Sequence, residues 1–79
     1  MELHRSARKH GIADEDTVHA AQNRLAAYAI SEESPLRELR LGPDRAGNLP
    51  EIVVLLLDDD RELIIHSMRM RPKYRDLLP

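Results

Sequence analysis

No cysteine, tryptophan or phenylalanine occurs in the 79 residues, and the only other aromatics apart from histidine are Tyr28 and Tyr74. Without thiols there is neither a disulfide nor a thiolate metal site, and a reducing compartment, the cytoplasm, is the expected location. With so few aromatic rings, a nucleic-acid surface built by stacking bases on aromatic platforms is not expected. The core has to come from Leu, Ile, Val, Ala and Met. The longest apolar run, Ile52 to Leu57, is far shorter than the ~20 residues of a membrane helix. The N-terminus lacks the apolar stretch of a signal peptide, so no membrane partner is expected. The three glycines, Gly11, Gly42 and Gly47, are scattered. That excludes a phosphate-cradling loop and a nucleophile elbow, and no cofactor is expected.

What is present is charge, unevenly placed. Residues 1–10 carry three basic and one acidic side chain, residues 11–60 four and eleven, and residues 61–79 five and two. The ends are positive and the middle is acidic. If the ends meet in space they form a basic patch able to hold phosphates or an acidic segment; the plainer reading is a set of solvated charges. The chain has room for one domain, 1–79, and a core of this size supplies only about 3–5 kcal/mol. A partner, either a second copy or another protein, is the expected source of further stability.

The pattern predicts an α+β fold: two N-terminal helices, a three-stranded antiparallel meander sheet and a short C-terminal helix. Residues 2–10 place Leu3, Ala7 and His10 at helical spacing, with Gly11 as the stop. Residues 14–29 open with Asp14, Glu15 and Asp16, which suit a helix N-terminus. They continue with Val18, Ala21, Leu25 and Tyr28 as an apolar stripe. Residues 36–42 alternate as a strand, which is expected at the sheet edge and hence as a contact surface. Residues 42–48 are dense in turn formers, Ile52–Leu57 reads as a central strand, and Leu63–Met68 as the third strand. Pro72 is placed to begin a last helix, with Tyr74, Leu77 and Leu78 on its apolar side.

Few constellations carry chemistry. Asp58, Asp59 and Asp60 read as a solvated turn, without the spacing of a calcium loop. His4, His10, His19 and His66 form no ligand pattern, so no metal is expected. The end of the third strand and the segment after it remain: His66, Ser67, Arg69, Arg71, Lys73, Tyr74 and Arg75. Strand alternation sets Ser67 and Arg69 on one side and His66 and Met68 on the other. Arg69 is placed to grip a phosphate bidentately or to pair with one of the many carboxylates.

Three segments in order resemble the BrnT-type toxins of bacterial toxin–antitoxin pairs. They are Lys9-His10-Gly11-Ile12, then Arg37-x-Leu39-x-Leu41-Gly42, then Ile64-Ile65-His66-Ser67-Met68-Arg69. The resemblance spans residues 9 to about 75. It implies a RelE-like fold, metal-independent RNA cleavage in the cytoplasm, and neutralisation by an antitoxin encoded nearby. It places functional weight on Lys9, His10, Arg37 and Arg69. RNA cleavage needs a base, an acid and a cation, and histidine as a residue type suits either proton role. Arg69 and Arg37 would serve the phosphate, and His10 or His66 the proton transfer. Lys9, Arg71, Lys73, Tyr74 and Arg75 would hold the RNA. The alternative is a non-catalytic protein-binding module, a degenerate toxin or regulatory partner in a small operon.

Overall fold

The computed structural model describes residues 1–79. Strand β1 (Glu2–Leu3) leads into a 3₁₀ helix (Arg5–Arg8) and then the one regular helix, α1 (Asp14–Gln22). Four strands follow: β2 (Ala26–Ala29), β3 (Leu36–Leu41), β4 (Pro50–Leu56) and β5 (Glu62–Arg69). A second 3₁₀ helix (Pro72–Leu77) ends the chain. The strands form one mixed sheet in the order β1-β5-β4-β3-β2. β1 runs parallel to β5, and every other neighbour pair is antiparallel.

The expected two helices and three-stranded meander are therefore corrected to one helix and a five-stranded mixed sheet. Residues 2–10 are not one helix, because Glu2 and Leu3 pair with Leu63 and Ile64 and the chain turns only afterwards. Helix 14–29 ends at Gln22. Asn23 closes it, its amide donating to the His19 carbonyl at 2.8 Å. Gly42 shows why the helix cannot run on. A Cβ there would lie 2.5 Å from the Ala20 carbonyl oxygen and 2.9 Å from the Arg24 Cα, so the end of β3 backs directly onto the helix end. The apolar residues beyond that point join the sheet instead, Tyr28 opposite Leu39 and Ala26 opposite Leu41. Strand β3 is consequently interior, and β2 is the edge on that side. The last segment is a 3₁₀ helix rather than an α-helix.

Residues directly opposite in neighbouring strands share a face. One face carries Arg40, Ile52, Val54, Ile64 and Ser67 and packs against α1. Its core is Ala7, Ala20, Ala21, Ile52, Val54 and Ile64. Thr17 and Ser67, both fully buried, close a hydroxyl–hydroxyl hydrogen bond of 2.7 Å between helix and sheet. The opposite face carries Tyr28, Leu39, Leu41, Glu51, Val53, His66 and Met68. The C-terminal segment returns over it: the Arg71 amide donates to Glu51, and the Tyr28 hydroxyl donates to the Leu77 carbonyl at 2.8 Å. An irregularity of register between Val53 and Val54 shifts the pairing from Ile64 to His66 and bypasses Ile65. The bulge keeps both Ile64 and Ser67 on the helix face.

Candidate active site around Glu51 and His66

Glu51 is the second residue of strand β4, and its side chain is only 1% exposed. An unpaired carboxylate there would be costly, and three groups satisfy it. Arg71 donates through Nε to Oε1 at 2.9 Å and through Nη2 to Oε2 at 2.7 Å, and its backbone N–H donates to Oε1 at 2.9 Å. His66 Nε2 lies 3.1 Å from Oε2. Burial by itself would push the Glu51 carboxyl up. The hydrogen bonds from Arg71 and His66 and the guanidinium charge outweigh it and hold the carboxyl below the ordinary 4.5. Glu51 is thus a fixed anion that orients an imidazole, with Nε2–H of His66 donating and Nδ1 left without a partner.

The second imidazole comes from the N-terminal part of the chain. The first 3₁₀ helix is fastened to β5 by Ser6, whose hydroxyl donates to the Ile65 carbonyl at 2.6 Å. Gly11, with φ +77°, turns the chain just after it. Between these two points His10 meets His66 edge to face, ring centroids 5.6 Å apart. On the C-terminal side Arg71 and Lys73 lie over the Tyr74 ring, 5.5 and 5.0 Å from its centre. His10, His66, Glu51, Arg71, Lys73 and Tyr74 thus form a connected series of contacts where the two basic ends of the chain meet.

The remaining expected residues lie outside this series. Arg69 is exposed and, as the alternation requires, on the other side of β5. With Arg75, Ile12, Asn48 and Met70 it lines a cleft of about 470 Å³ at the end of the sheet. Neither Arg69 nor Arg75 forms an ion pair. Arg37 shares the face of His66 but stands two strands away on β3, opposite Leu55. Lys9 is exposed at the end of the first 3₁₀ helix, next to His10. Glu51 was not among the residues expected from sequence. Its only sequence signal is a lone carboxylate at the start of a run that is otherwise apolar.

No group of three or more His, Asp or Glu side chains is arranged to hold a metal ion. No helix is long and apolar enough to cross a membrane. No family model, curated protein or solved structure matches the chain.

Proposed function

We propose that the chain is the toxin of a bacterial toxin–antitoxin pair, a metal-independent endoribonuclease that acts in the cytoplasm and is neutralised by an antitoxin encoded nearby. The observation that carries the reading is the pair of imidazoles at 5.6 Å, one of them held by a buried carboxylate. Cleavage of RNA needs the ribose 2′-hydroxyl proton removed as that oxygen attacks phosphorus. The 5′-oxygen then leaves with a proton supplied from the enzyme, and a 2′,3′-cyclic phosphate remains. His66, with Nε2 engaged by Glu51 and Nδ1 free, serves as the base, and His10 serves as the acid. Arg71 keeps Glu51 ionised and leaves Nη1 for the phosphate. Arg69 and Arg75 in the neighbouring cleft, with Lys9, Lys73 and Arg37, draw in the backbone by charge.

A second reading is a protein-binding module without catalysis. It is favoured by the complete satisfaction of Glu51, which a purely structural ion pair would also show. Incubating the purified chain with RNA in the presence of a metal chelator separates the two. Cyclic-phosphate ends that persist with chelator and disappear in His66→Ala and His10→Ala support the ribonuclease. Loss of RNA binding in Arg69→Ala, with the fold intact, assigns the phosphate role. If the wild-type chain leaves RNA intact and growth unaffected yet still binds the product of the adjacent reading frame, the binding module is correct.

A further inference from the structure

The two edges of the sheet differ. β1 is two residues long, and its Glu2 side chain is engaged by Arg61 at 3.5 Å. A short, charged edge of this kind resists pairing with another strand. β2 has none of these protections. From Leu25 to Ile30 the sequence is Leu-Ala-Ala-Tyr-Ala-Ile, with no charge, proline or glycine. Leu25, Tyr28 and Ile30 are 55%, 41% and 50% exposed.

The backbone of β2 also points the right way. The Ile30 N–H donates to the Arg37 carbonyl at 2.9 Å. Backbone groups alternate in direction along an antiparallel strand, so Ala26 and Tyr28 also address β3. Ala27 and Ala29 therefore turn their N–H and C=O groups outward, where no strand pairs with them. These groups select the register of any antiparallel copy. Ala27 pairs with Ala29 of the second copy when the two-fold axis passes through Tyr28. The same register sets Ala26 against Ile30 of the other copy and places Arg24 beside Glu32 and Glu33. Arg24 at one end of the edge and Glu32 and Glu33 at the other form no ion pair within the chain.

From this we infer that β2 is the interface of a symmetric homodimer, in which two copies join antiparallel about Tyr28 into one ten-stranded sheet. The partner is a second copy of this chain because one register satisfies backbone direction, apolar contact and charge together. Such self-complementarity is what a two-fold interface requires. The contact is confined to one strand edge, so the dimer is a weak, reversible one. The inference does not rest on the ribonuclease reading, since His66 lies on β5, three strands away from this edge.

Sedimentation of the full chain across a concentration series tests it. The wild type is expected to move from monomer to dimer. Ala27→Pro removes an outward N–H without removing a bond to β3 and is expected to weaken the dimer about tenfold or more, with an unchanged circular dichroism spectrum. Charge exchange tests the register independently of folding. Arg24→Glu alone, and Glu32→Lys with Glu33→Lys alone, are each expected to be monomeric. The two variants mixed are expected to form a heterodimer, because both charged contacts are then attractive. A wild type that stays monomeric at ~200 μM overturns the inference. So does a dimer indifferent to both Ala27→Pro and the charge exchange.

Discussion

On the helix side of the sheet Arg40 is buried between the carboxylates of Glu38 and Glu62, and it also donates to the Ala21 carbonyl at 3.3 Å. On the opposite side Glu51 is buried against the guanidinium of Arg71 and the imidazole of His66. Both charges are fully paired, and no buried side-chain nitrogen or oxygen in the molecule lacks a hydrogen-bond partner. The partners differ in kind. Arg40 meets two carboxylates of its own sheet and no imidazole. Glu51 meets an imidazole that is one quarter exposed and touches a second imidazole. The first arrangement joins strands β3 and β5 across β4; the second joins β4 to β5 and to the segment after it, and also orients a group capable of proton transfer. Burial of a charge is therefore not a functional signal in itself; what supports the catalytic reading at Glu51 is the quarter-exposed imidazole it orients.

The sharpest way to break this contrast is to remove one partner from each side. Arg71→Ala strands the Glu51 anion inside the protein, and denaturant unfolding should show a loss of about 3–5 kcal/mol. Ser67→Ala leaves the buried Thr17 hydroxyl without its partner and should cost about 1–3 kcal/mol in the same measurement. Replacing Arg40 by methionine removes the buried charge altogether, leaving two part-exposed carboxylates free to hydrate. Thermal melts should show a change within about 1 kcal/mol of zero, because an apolar chain of similar size replaces a buried ion at little net cost. His66→Asn should cost only about 0.5–1 kcal/mol, while abolishing any RNA cleavage.

Acid sharpens the comparison further. The Glu51 carboxyl is held below its ordinary 4.5 in the folded chain. A group whose folded value is depressed binds a proton more readily when unfolded. Its contribution to stability is therefore fully present above the ordinary carboxylate range and is lost as pH falls through the folded value. Glu51→Gln, which has no carboxyl to protonate, should be less stable than the wild type at pH 7. The gap should narrow as pH drops below about 4, read from melting temperatures across a pH series.

Several elements of the fold are legible in the residues alone. Leu36–Leu41 alternates, Ile52–Leu57 is an unbroken apolar run, and turn-forming residues separate them. Strands β3, β4 and β5 and their antiparallel order therefore follow from local pattern and short connections. His10 and His66 stand out as residue types, but nothing local brings them together. That contact depends on the first 3₁₀ helix docking on β5 through Ser6. The stripe Val18, Ala21, Leu25, Tyr28 continues at helical spacing past the true helix end, since alanine and leucine favour a helix locally and only the pairing with β3 overrides that preference.

What the sequence determined by itself is the set of elements whose identity is written in their own local pattern: the start of α1 through its acidic first turn, β3 through alternation, β4 through its two-sided apolar run, and the turns between the three central strands. Only the tertiary structure decided where α1 stops, because the approach of Gly42 to the Ala20 carbonyl is a contact between segments twenty-two residues apart in sequence. It also decided that Glu2 and Leu3 pair with β5, because a two-residue parallel strand has no pattern of its own and exists only through its partner. Glu51 is the clearest case. On its own strand it reads as one more surface carboxylate, and it becomes a buried, oriented anion only because the chain returns twenty residues later and lays Arg71 across it. Local periodicity reports which face of an element is apolar. It carries no information about which distant charge will be brought down onto that face.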